Sequence, residues 1–420
     1  MRVVVIGAGV MGVTTAWYLQ QAGAEVRLID AGERPASGAS AANGGMLHAS
    51  HAEPWNTPGV ALDLLRYIGR PESPLLLRPR ALPGLAGWGM RFLWHSRRRN
   101  FEAHTRINAR LAAFSLREID RLQRELEPEG LAFDFRRSGI LKLFQDPQSQ
   151  AHNRAASLAM ADEGIRFEDW DVERIVAEEP ALAPVRERLC GGLFFPDDAI
   201  GDAARFTEGL LAIGERHGLH YHPGVTAHAL RCFRGAINAV ETSAGPIAAD
   251  ACVVANGYHA PDLLRPLGIR LPLAPVKGYS LTLPMSETCR LRLPVIDDAN
   301  KVVLTPLGTR LRLAGTAEFA GRDRRLNPQR AANVLAQCRR TLSTLPAEFD
   351  PQSMAPWTGL RPMSARGTPI LGATPVAGLY LNTGGGHLGW TFACAAAVLV
   401  RDSMLEQAPP AALAGLPLQV

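Results

Sequence analysis

The feature that most constrains this chain is a glycine pattern within its first dozen residues. The apolar run Val3–Ile6 leads directly into Gly7-Ala8-Gly9-Val10-Met11-Gly12, which has the spacing G-x-G-x-x-G. Small and apolar residues at helical spacing follow, and a second apolar run ends at Asp30. Strand, glycine turn, helix, strand and acidic residue within about 30 residues predict a Rossmann-type dinucleotide-binding unit.

Each residue type in this pattern has a physical reason. Gly7 allows the tight turn, Gly9 lets the backbone approach a pyrophosphate, and Gly12 lets the helix pack against the strand. The helix N-terminus at Val10 and Met11 presents free N–H groups and partial positive charge to the phosphates. The pattern therefore predicts a nucleotide cofactor, but it does not separate FAD from NAD.

Asp30 narrows the choice of nucleotide. Its carboxylate can accept hydrogen bonds from both ribose hydroxyls, and it would repel the 2′-phosphate of NADP. Instead of further β-α units, the chain then enters a run of small residues, 37–46. Such a run suits a backbone that lies close to a flat ligand, although a flexible surface loop has the same composition. The candidate cofactor-binding residues here are Ser40, Asn43, Gly44, Gly45 and Met46.

Three later segments extend the pattern. Residues 250–257 predict a buried strand that ends in a turn containing Asn256 and Gly257. Residues 357–362 have the sequence Trp-Thr-Gly-Leu-Arg-Pro, and Thr-Pro-Ile-Leu-Gly follows at 368–372. Residues 379–405 predict strand, glycine loop and helix, so a second helix N-terminus could face an anion. The candidate cofactor-binding residues of this loop are Gly385, Gly386, Leu388 and Gly389.

Together these segments resemble the FAD-dependent D-amino acid oxidase superfamily, and within it the bacterial D-amino acid dehydrogenases. The resemblance covers nearly the full length, and its more specific parts are residues 275–280 and 357–362. It implies FAD as cofactor, with a backbone group near Val225 meeting the adenine. Some relatives attach the flavin to a cysteine in the segment matching 357–362, and this segment has none, so we expect non-covalent FAD.

The resemblance also implies catalytic residues. Arg361, in Gly-Leu-Arg-Pro, would hold the substrate carboxylate by two parallel hydrogen bonds. The Tyr279 hydroxyl would bind the same carboxylate or close the pocket, although a buried core tyrosine fits the sequence nearly as well. Relatives usually have Gly-His in the C-terminal loop, whereas here His387 comes two places later, and we expect it as a third candidate catalytic residue that still reaches the active site. Arg366 stands where relatives commonly have Asp. His48 and Met46 would line the substrate pocket.

The length of 420 residues predicts two domains. We expect an α/β, Rossmann-like FAD-binding domain from residues 1–75, 200–262 and 352–420. Residues 76–199 and 263–351 would form a substrate domain on a mostly antiparallel sheet. Apolar positions at helical spacing predict an amphipathic helix over 103–125, and Asp202 is a plausible N-cap.

Composition limits the partners. The net charge is only +5, and the positive residues form no obvious stripe, so we expect no nucleic acid partner. The only lysines are Lys142, Lys277 and Lys301, which leaves 42 arginines among 45 basic residues. Six scattered cysteines predict neither disulfides nor a zinc site, and His217, His220 and His222 fit surface or packing roles better than a metal site.

No segment reaches about 18 uninterrupted apolar residues, so the sequence predicts no membrane-spanning helix. A cytoplasmic location fits best. Residues 85–94 combine apolar and aromatic side chains with the following Arg97-Arg98-Arg99, a pattern that suits peripheral contact with the inner membrane. An ordinary packed helix with solvated arginines fits equally well.

The leading interpretation is oxidative deamination of D-amino acids to 2-oxo acids and ammonia, by hydride transfer from the α-carbon to flavin N5. The resemblance implies a quinone-type acceptor for the electrons. An alternative substrate is glycine, sarcosine or a cyclic secondary amino acid such as hydroxyproline. An alternative of another class is a flavin-bearing electron-relay subunit of a hetero-oligomer. An oligomer is compatible with the sequence.

Overall fold

The structure is a computed structural model that describes residues 1–62 and 73–417. In these residues the strands, β1 to β20 in chain order, are Arg2–Ile6, Glu25–Ile29, Met46–Leu47, Leu75–Leu77, Ile140–Phe144, Glu168–Trp170, Gly191–Phe195, Ala199–Ile200, His220–His222, Ala227–Phe233, Ala236–Thr242, Gly245–Ala248, Ala251–Val254, Leu273–Pro284, Val295–Asp297, Val302–Leu307, Arg310–Phe319, Trp357–Ser364, Ile370–Ala373 and Leu379–Thr383. The helices, α1 to α9, are Val10–Gln21, Leu82–His95, Arg98–Leu126, Pro147–Ala159, Val172–Glu178, Ala203–Arg216, Ala260–Leu264, Pro328–Thr341 and Gly389–Met404.

The first sheet has six strands in the order β19-β20-β13-β1-β2-β9. All neighbouring pairs are parallel except β19 with β20. Strand β1 lies inside this sheet, and its residues 3–6 are buried, as expected for a strand covered on both faces. Helix α1 connects β1 to β2 and packs against α9. The predicted Rossmann-like unit is confirmed.

The second sheet has nine strands, in the order β18-β14-β17-β16-β15-β5-β7-β6 with β4 beside β17. Its pairs are antiparallel except β15 with β5 and β17 with β4, so the predicted mostly antiparallel sheet is confirmed. The 12-residue strand β14 pairs with β17 on one side and with β18 on the other. Helix α8 packs on β14, β16 and β17.

The sheets divide the chain slightly differently from the predicted domain boundaries. Strand β18 lies inside the segment 352–420 that we assign to the FAD-binding domain, yet it pairs along its whole length with β14 of the second sheet. Helix α3, from the predicted substrate domain, packs against α9 beneath the first sheet. The alternation of apolar and polar residues in a strand does not show which sheet the strand joins. The division of the chain into two domains stays a prediction.

Local predictions at helix ends agree with the structure. Helix α3 contains the predicted span 103–125. The Asp202 carboxylate accepts hydrogen bonds from the N–H groups of Ala204, at 3.0 Å, and of Arg205, at 3.3 Å, so it is the N-cap of α6. The described part of the tail is held in place because Leu413 is buried and Arg110 donates to the Ala412 carbonyl.

Candidate functional site

One cavity, lined by residues of both sheets, brings most of the predicted site residues together. Its volume is about 1130 Å³, more than the roughly 300–1,000 Å³ of a typical small-ligand pocket. The predicted residues that line it are Gly7, Gly9, Val10, Met11, Asp30, Ser40, Asn43, Gly44, Gly45, Met46, His48, Val225, Asn256, Gly257, Tyr279, Arg361, Gly385, Gly386, His387 and Gly389. A large cofactor and a small substrate would both fit.

The glycine turn at the start of α1 leaves no room for side chains. Gly7 has a φ of +113°, and a Cβ on Gly12 would lie 1.7 Å from the Gly7 carbonyl oxygen. Gly12 is outside the cavity wall, which agrees with its predicted packing role. The Ser40 hydroxyl accepts a hydrogen bond of 3.0 Å from the Val10 N–H, so the small-residue run is tied to the helix start.

Asp30 follows the last residue of β2 and lies in the wall of the cavity. Its Oδ2 accepts a hydrogen bond of 2.6 Å from the Ala8 N–H, and its Oδ1 accepts one of 2.7 Å from the Gly32 N–H. Each carboxylate oxygen has a further lone pair. The residue therefore holds the glycine turn in place and still has acceptor capacity for ribose hydroxyls.

Three side chains of the second sheet hold the small-residue run by its carbonyl groups. Ser280 Oγ donates to Ala42 O at 2.6 Å, and Arg312 Nη1 donates to Asn43 O at 2.7 Å. Thr305 Oγ1 donates to Gly44 O at 2.7 Å. Three consecutive carbonyls are thus fixed by one sheet face, so this segment is an ordered wall between the two sheets, not a flexible loop.

The cofactor-binding role of Leu388 stays a prediction. Its side chain is 1% exposed and belongs to the core around α9, and its N–H donates to the Gly385 carbonyl at 3.0 Å. Leu388 lies outside the cavity wall because it fixes the turn that precedes α9. Its neighbours Gly386, His387 and Gly389 line the cavity.

Arg361 contributes to the cavity wall a positive charge that no acidic side chain of the described residues neutralises. Its guanidinium lies against the backbone of β14, where a Cβ on Gly278 would be 2.5 Å from Nη2. Burial lowers the pKa of Arg361 to about 10. Within residues 1–62 and 73–417 no carboxylate pairs with it, and Nη1 is buried without a hydrogen-bond partner. A buried cation without an anion is costly, so the site favours an anionic ligand.

Tyr279 is buried on β14, and its hydroxyl donates to Glu318 Oε2 at 2.6 Å. Arg78 Nε binds the other oxygen of Glu318 at 2.7 Å. Burial, the Glu318 hydrogen bond and its charge raise the pKa of Tyr279. A role at the substrate carboxylate stays a prediction, and it would require the hydroxyl to leave Glu318.

His387 lies in the cavity wall despite its shifted position in the sequence. Its ring stacks on Trp55 with centroids 5.2 Å apart, and the Arg361 guanidinium is 5.8 Å from the centroid of the same Trp55 ring. Burial, with smaller contributions from His48 and Arg361, lowers the pKa of His387 to about 3. The imidazole is therefore neutral near pH 7, and it contributes a polar but uncharged group to the cavity wall.

Similarities to known proteins place this site in a family. The family model described as FAD dependent oxidoreductase matches residues 2–403. The chain belongs to this family. It is 41% identical over 404 residues to a protein of Paramagnetospirillum magneticum named D-amino acid dehydrogenase, covering 96% of this chain and 94% of that protein. A protein of Methylobacterium nodulans with the same name is 41% identical over 413 residues, covering 97% and 96%.

The fold is also that of solved flavoenzymes. Glycine oxidase from Geobacillus kaustophilus superposes with a TM-score of 0.76 at 22% identity, covering 100% of this chain and 99% of that one. Iminodiacetate oxidase from Chelativorans sp. BNC1 gives a TM-score of 0.73 at 23% identity, covering 99% and 97%. This chain is thus an FAD-dependent oxidoreductase with the fold expected for its family.

The residues present fit FAD. The glycine turn, the Asp30 carboxylate and the fixed carbonyls of 42–44 form a continuous wall along the cavity. Asn256 Oδ1, also at the wall, is buried and has no partner in the part of the chain that the structure describes, so a bound group could supply its hydrogen bond.

Sequence reasoning missed several wall residues that converge only in three dimensions. His51, Trp55, Asp298 and Lys301 line the cavity, and Lys142 Nζ lies 3.3 Å from Asp298 Oδ1. The amino-acid composition contained one signal of these wall residues, namely the scarcity of lysine. The chain has only three lysines among 45 basic residues, and two of them line the cavity while the third contacts its wall.

Proposed function

We propose that this FAD-dependent oxidoreductase oxidises D-amino acids to 2-oxo acids and ammonia. The observation that supports it most is the Arg361 guanidinium in the cavity wall, which has no acidic partner among the described residues and whose Nη1 is buried without a hydrogen bond. An amino acid brings a carboxylate, and a guanidinium binds a carboxylate by two parallel hydrogen bonds. The relatives that are 41% identical to this chain carry the name D-amino acid dehydrogenase.

Arg361 would orient the substrate so that its α-hydrogen faces the reacting atom of the cofactor. Positioning of this kind accounts for much of the rate in reactions of two bound molecules. When bound, FAD would take the α-hydrogen as hydride, and water would convert the resulting imino acid to the 2-oxo acid and ammonia. The stacked rings of Trp55 and His387 would close the wall beside Arg361 and limit the entry of water.

The cofactor would be held non-covalently by the predicted residues of the glycine turn, the small-residue run and the C-terminal loop. Cysteine side chains are absent from the cavity wall formed by residues 1–62 and 73–417. The turn from Gly385 to Gly389 would place backbone N–H groups near the flavin ring, where negative charge develops on reduction. Val225, whose N–H donates to the Asp30 carbonyl at 2.8 Å, would contact the adenosine end.

Anaerobic reduction of the flavin tests this proposal directly. The holoenzyme is mixed with D-amino acids, the matching L-amino acids, glycine, sarcosine and cyclic secondary amino acids, and loss of the flavin absorbance is followed. Reduction by several primary D-amino acids, and not by their L-enantiomers, is expected. Reduction by glycine, N-methyl or cyclic substrates alone would replace the proposed substrate, and no reduction by any amine would favour an electron-relay subunit.

We propose further that electrons leave to a quinone-type acceptor at a membrane surface. Among the described residues no helix is long and apolar enough to cross a membrane. Helix α2 instead exposes Met90, Leu93 and Trp94, and the Arg97 guanidinium lies 3.6 Å from the centroid of the Trp94 ring. The opposite face of α2 is anchored, because Trp88 Nε1 donates to the Met363 carbonyl at 2.9 Å. Apolar rings beside arginines suit an anionic membrane surface.

A further inference from the structure

Two histidines form a distinct part of the cavity wall. The rings of His48 and His51 meet edge to face with centroids 5.5 Å apart, and both line the cavity. We refer to His48 and His51 as the histidine pair. His48 Nδ1 and His51 Nε2 are buried and have no hydrogen-bond partner among residues 1–62 and 73–417. These two nitrogens are therefore available to a ligand, whereas His51 Nδ1 lies 4.0 Å from Glu53 Oε2.

The segment that bears the histidine pair is held firmly. Asp198 Oδ1 accepts hydrogen bonds from the Ala49 N–H at 2.9 Å and from the Ser50 N–H at 3.4 Å, and Asp198 Oδ2 bonds to the Ser50 hydroxyl. Strand β3, immediately before His48, pairs with β8. Two rings carried by a segment fixed on both sides suit selective recognition, because little ordering is needed when a ligand binds.

Most of the charges nearby are paired, but Glu53 has no lysine or arginine partner among the described residues. Its Oε2 lies 4.0 Å from His51 Nδ1, and burial raises the pKa of its carboxyl. Asp298 Oδ1 lies 3.3 Å from Lys142 Nζ, and Asp298 Oδ2 lies 3.1 Å from Lys301 Nζ. Lys142 Nζ also donates to Asn153 Oδ1 at 2.6 Å. Burial lowers the pKa of His48 to about 4 and the pKa of His51 well below its usual value, so both rings are neutral near pH 7. This part of the wall therefore offers two neutral rings, beside lysines that are already paired with Asp298.

We propose that the histidine pair binds an uncharged hydrogen-bonding group, such as a hydroxyl, on the substrate amino acid. A neutral imidazole has one donor nitrogen and one acceptor nitrogen, and a hydroxyl both donates and accepts. A carboxylate group would lack a free counter-charge there among the described residues, because Lys142 and Lys301 are paired with Asp298. This inference rests on the proposed function, since Arg361 must hold the carboxylate of the same molecule.

The position of His387 supports a single ligand. Its ring stacks on Trp55, and the Arg361 guanidinium lies 5.8 Å from the centroid of the same Trp55 ring. His387, Arg361 and the histidine pair all line the one cavity. A substrate with its carboxylate on Arg361 would extend its side chain or ring along His387 toward the pair.

Binding of acids that lack an amino group tests this subsite apart from turnover. The visible spectrum of the FAD-loaded enzyme is titrated with butanoate, 3-hydroxybutanoate and 4-hydroxybutanoate. At least one hydroxylated acid should bind about tenfold more tightly than butanoate, an effect of the size of one or two hydrogen bonds. His48→Phe and His51→Phe should reduce this preference to about threefold or less. His48→Asn and His51→Gln, which keep a hydrogen-bonding group, should retain part of it.

His220→Phe is the matched control, because His220 is exposed on β9 and its replacement should leave the preference unchanged. Equal binding of butanoate and both hydroxylated acids by the unmodified enzyme would overturn the subsite, as would an unchanged preference in both Phe variants. Flavin reduction with D-alanine and D-serine separates the two proposals. If no amino acid reduces the flavin but the preference is present, the proposed function fails and the subsite remains. If amino acids reduce it without any preference, only the subsite fails.

Discussion

The Ser280 hydroxyl donates a hydrogen bond of 2.6 Å to the carbonyl of Ala42, 238 residues away in the chain. It joins β14 of the second sheet to the small-residue run that follows the Rossmann-like unit. Arg312 and Thr305 make the same kind of contact with the next two carbonyls. The sheet of the predicted substrate domain therefore shapes the wall of the proposed cofactor site, and loss of any of these three hydrogen bonds should weaken cofactor binding.

Ser280→Ala tests that relationship. The substitution leaves the Ala42 carbonyl without its partner, and losing one neutral hydrogen bond costs about 0.5–1.5 kcal/mol. We expect FAD to bind about three- to tenfold more weakly, measured by fluorescence titration of the apoprotein. Thr282→Ala, two residues further along β14, is the control and should change the dissociation constant less than twofold. Equal effects of the two substitutions would contradict the assignment.

Gly12→Ala should abolish FAD binding. The added Cβ would lie 1.7 Å from the Gly7 carbonyl oxygen, so either α1 or the glycine turn must move. We expect a fall of more than about 5 °C in the midpoint of thermal unfolding and loss of the bound flavin from the purified protein. Gly89→Ala in α2 is the matched control, because no atom of the described residues lies within 4 Å of the added Cβ. That variant should be unchanged or slightly more stable.

The local structure around the glycine turn and around Asp202 could be predicted from the neighbouring sequence alone. A strand, its turn, its helix and an N-cap depend on neighbouring residues, so spacing and residue type specify them. Local sequence could not predict that β18 belongs to the second sheet, because its partner β14 lies about 80 residues earlier in the chain. The same is true of the wall made by His51, Trp55 and Asp298, whose convergence depends on tertiary packing. The shifted His387 reaches the wall because the turn before α9 places it against Trp55.

Arg361→Met should impair the reaction with amino acids without lowering the stability of the apoprotein. The guanidinium is buried without an acidic partner among the described residues, so an apolar side chain of similar length should leave the free energy of unfolding of the apoprotein unchanged or raise it. In the same variant, kcat/KM for amino acids should fall about hundredfold to thousandfold, since two charge-assisted hydrogen bonds are lost. Arg361→Lys should lie between, because it keeps the charge without the two-pronged geometry.

Arg366→Gln provides the control for Arg361. Arg366 lies five residues further along and outside the cavity wall, so its replacement should change kcat/KM less than about threefold. Urea unfolding of the apoproteins gives the stability comparison. A strongly destabilised Arg361→Met apoprotein would indicate a structural role for the guanidinium and would contradict the proposed binding role.

The exposed face of α2 should determine binding to vesicles. Met90 and Trp94 are 70% and 57% exposed, and Arg97 stacks on Trp94. The double variant Met90→Ser, Trp94→Ser should reduce sedimentation with phosphatidylglycerol-containing vesicles more than about tenfold. Replacing Arg97, Arg98 and Arg99 by Gln should weaken binding to these vesicles most at low salt, because the attraction is electrostatic.

Phe233→Ser is the control for the α2 variants. Phe233 is 62% exposed on β10, which belongs to a different, three-stranded sheet, so this change should leave vesicle binding as it is. Vesicles of phosphatidylcholine alone separate the apolar from the electrostatic contribution. Unchanged sedimentation of both α2 variants would show that this face has no role at membranes.

Asp198 should make stability depend on pH. Burial raises the pKa of this carboxyl from 3.8 to about 7, although the hydrogen bonds from Ser50 and Ala49 lower it. A raised pKa means that the folded protein binds the proton more tightly than the unfolded chain. The stabilisation is complete below about pH 4 and is lost as the pH rises toward 7, by up to about 4 kcal/mol.

Asp198→Asn should remove this loss, because an amide resembles the protonated carboxyl and can still accept from the Ala49 N–H. Relative to the unmodified protein, the variant should gain stability between pH 5 and pH 8 in urea unfolding, whatever other groups contribute. Asp197→Asn is the matched control. Arg166 holds the pKa of the Asp197 carboxyl below its usual value, so its effect should be constant above about pH 5. A stability difference between Asp198→Asn and the unmodified protein that stays constant from pH 5 to 8 would show that Asp198 does not titrate in this range.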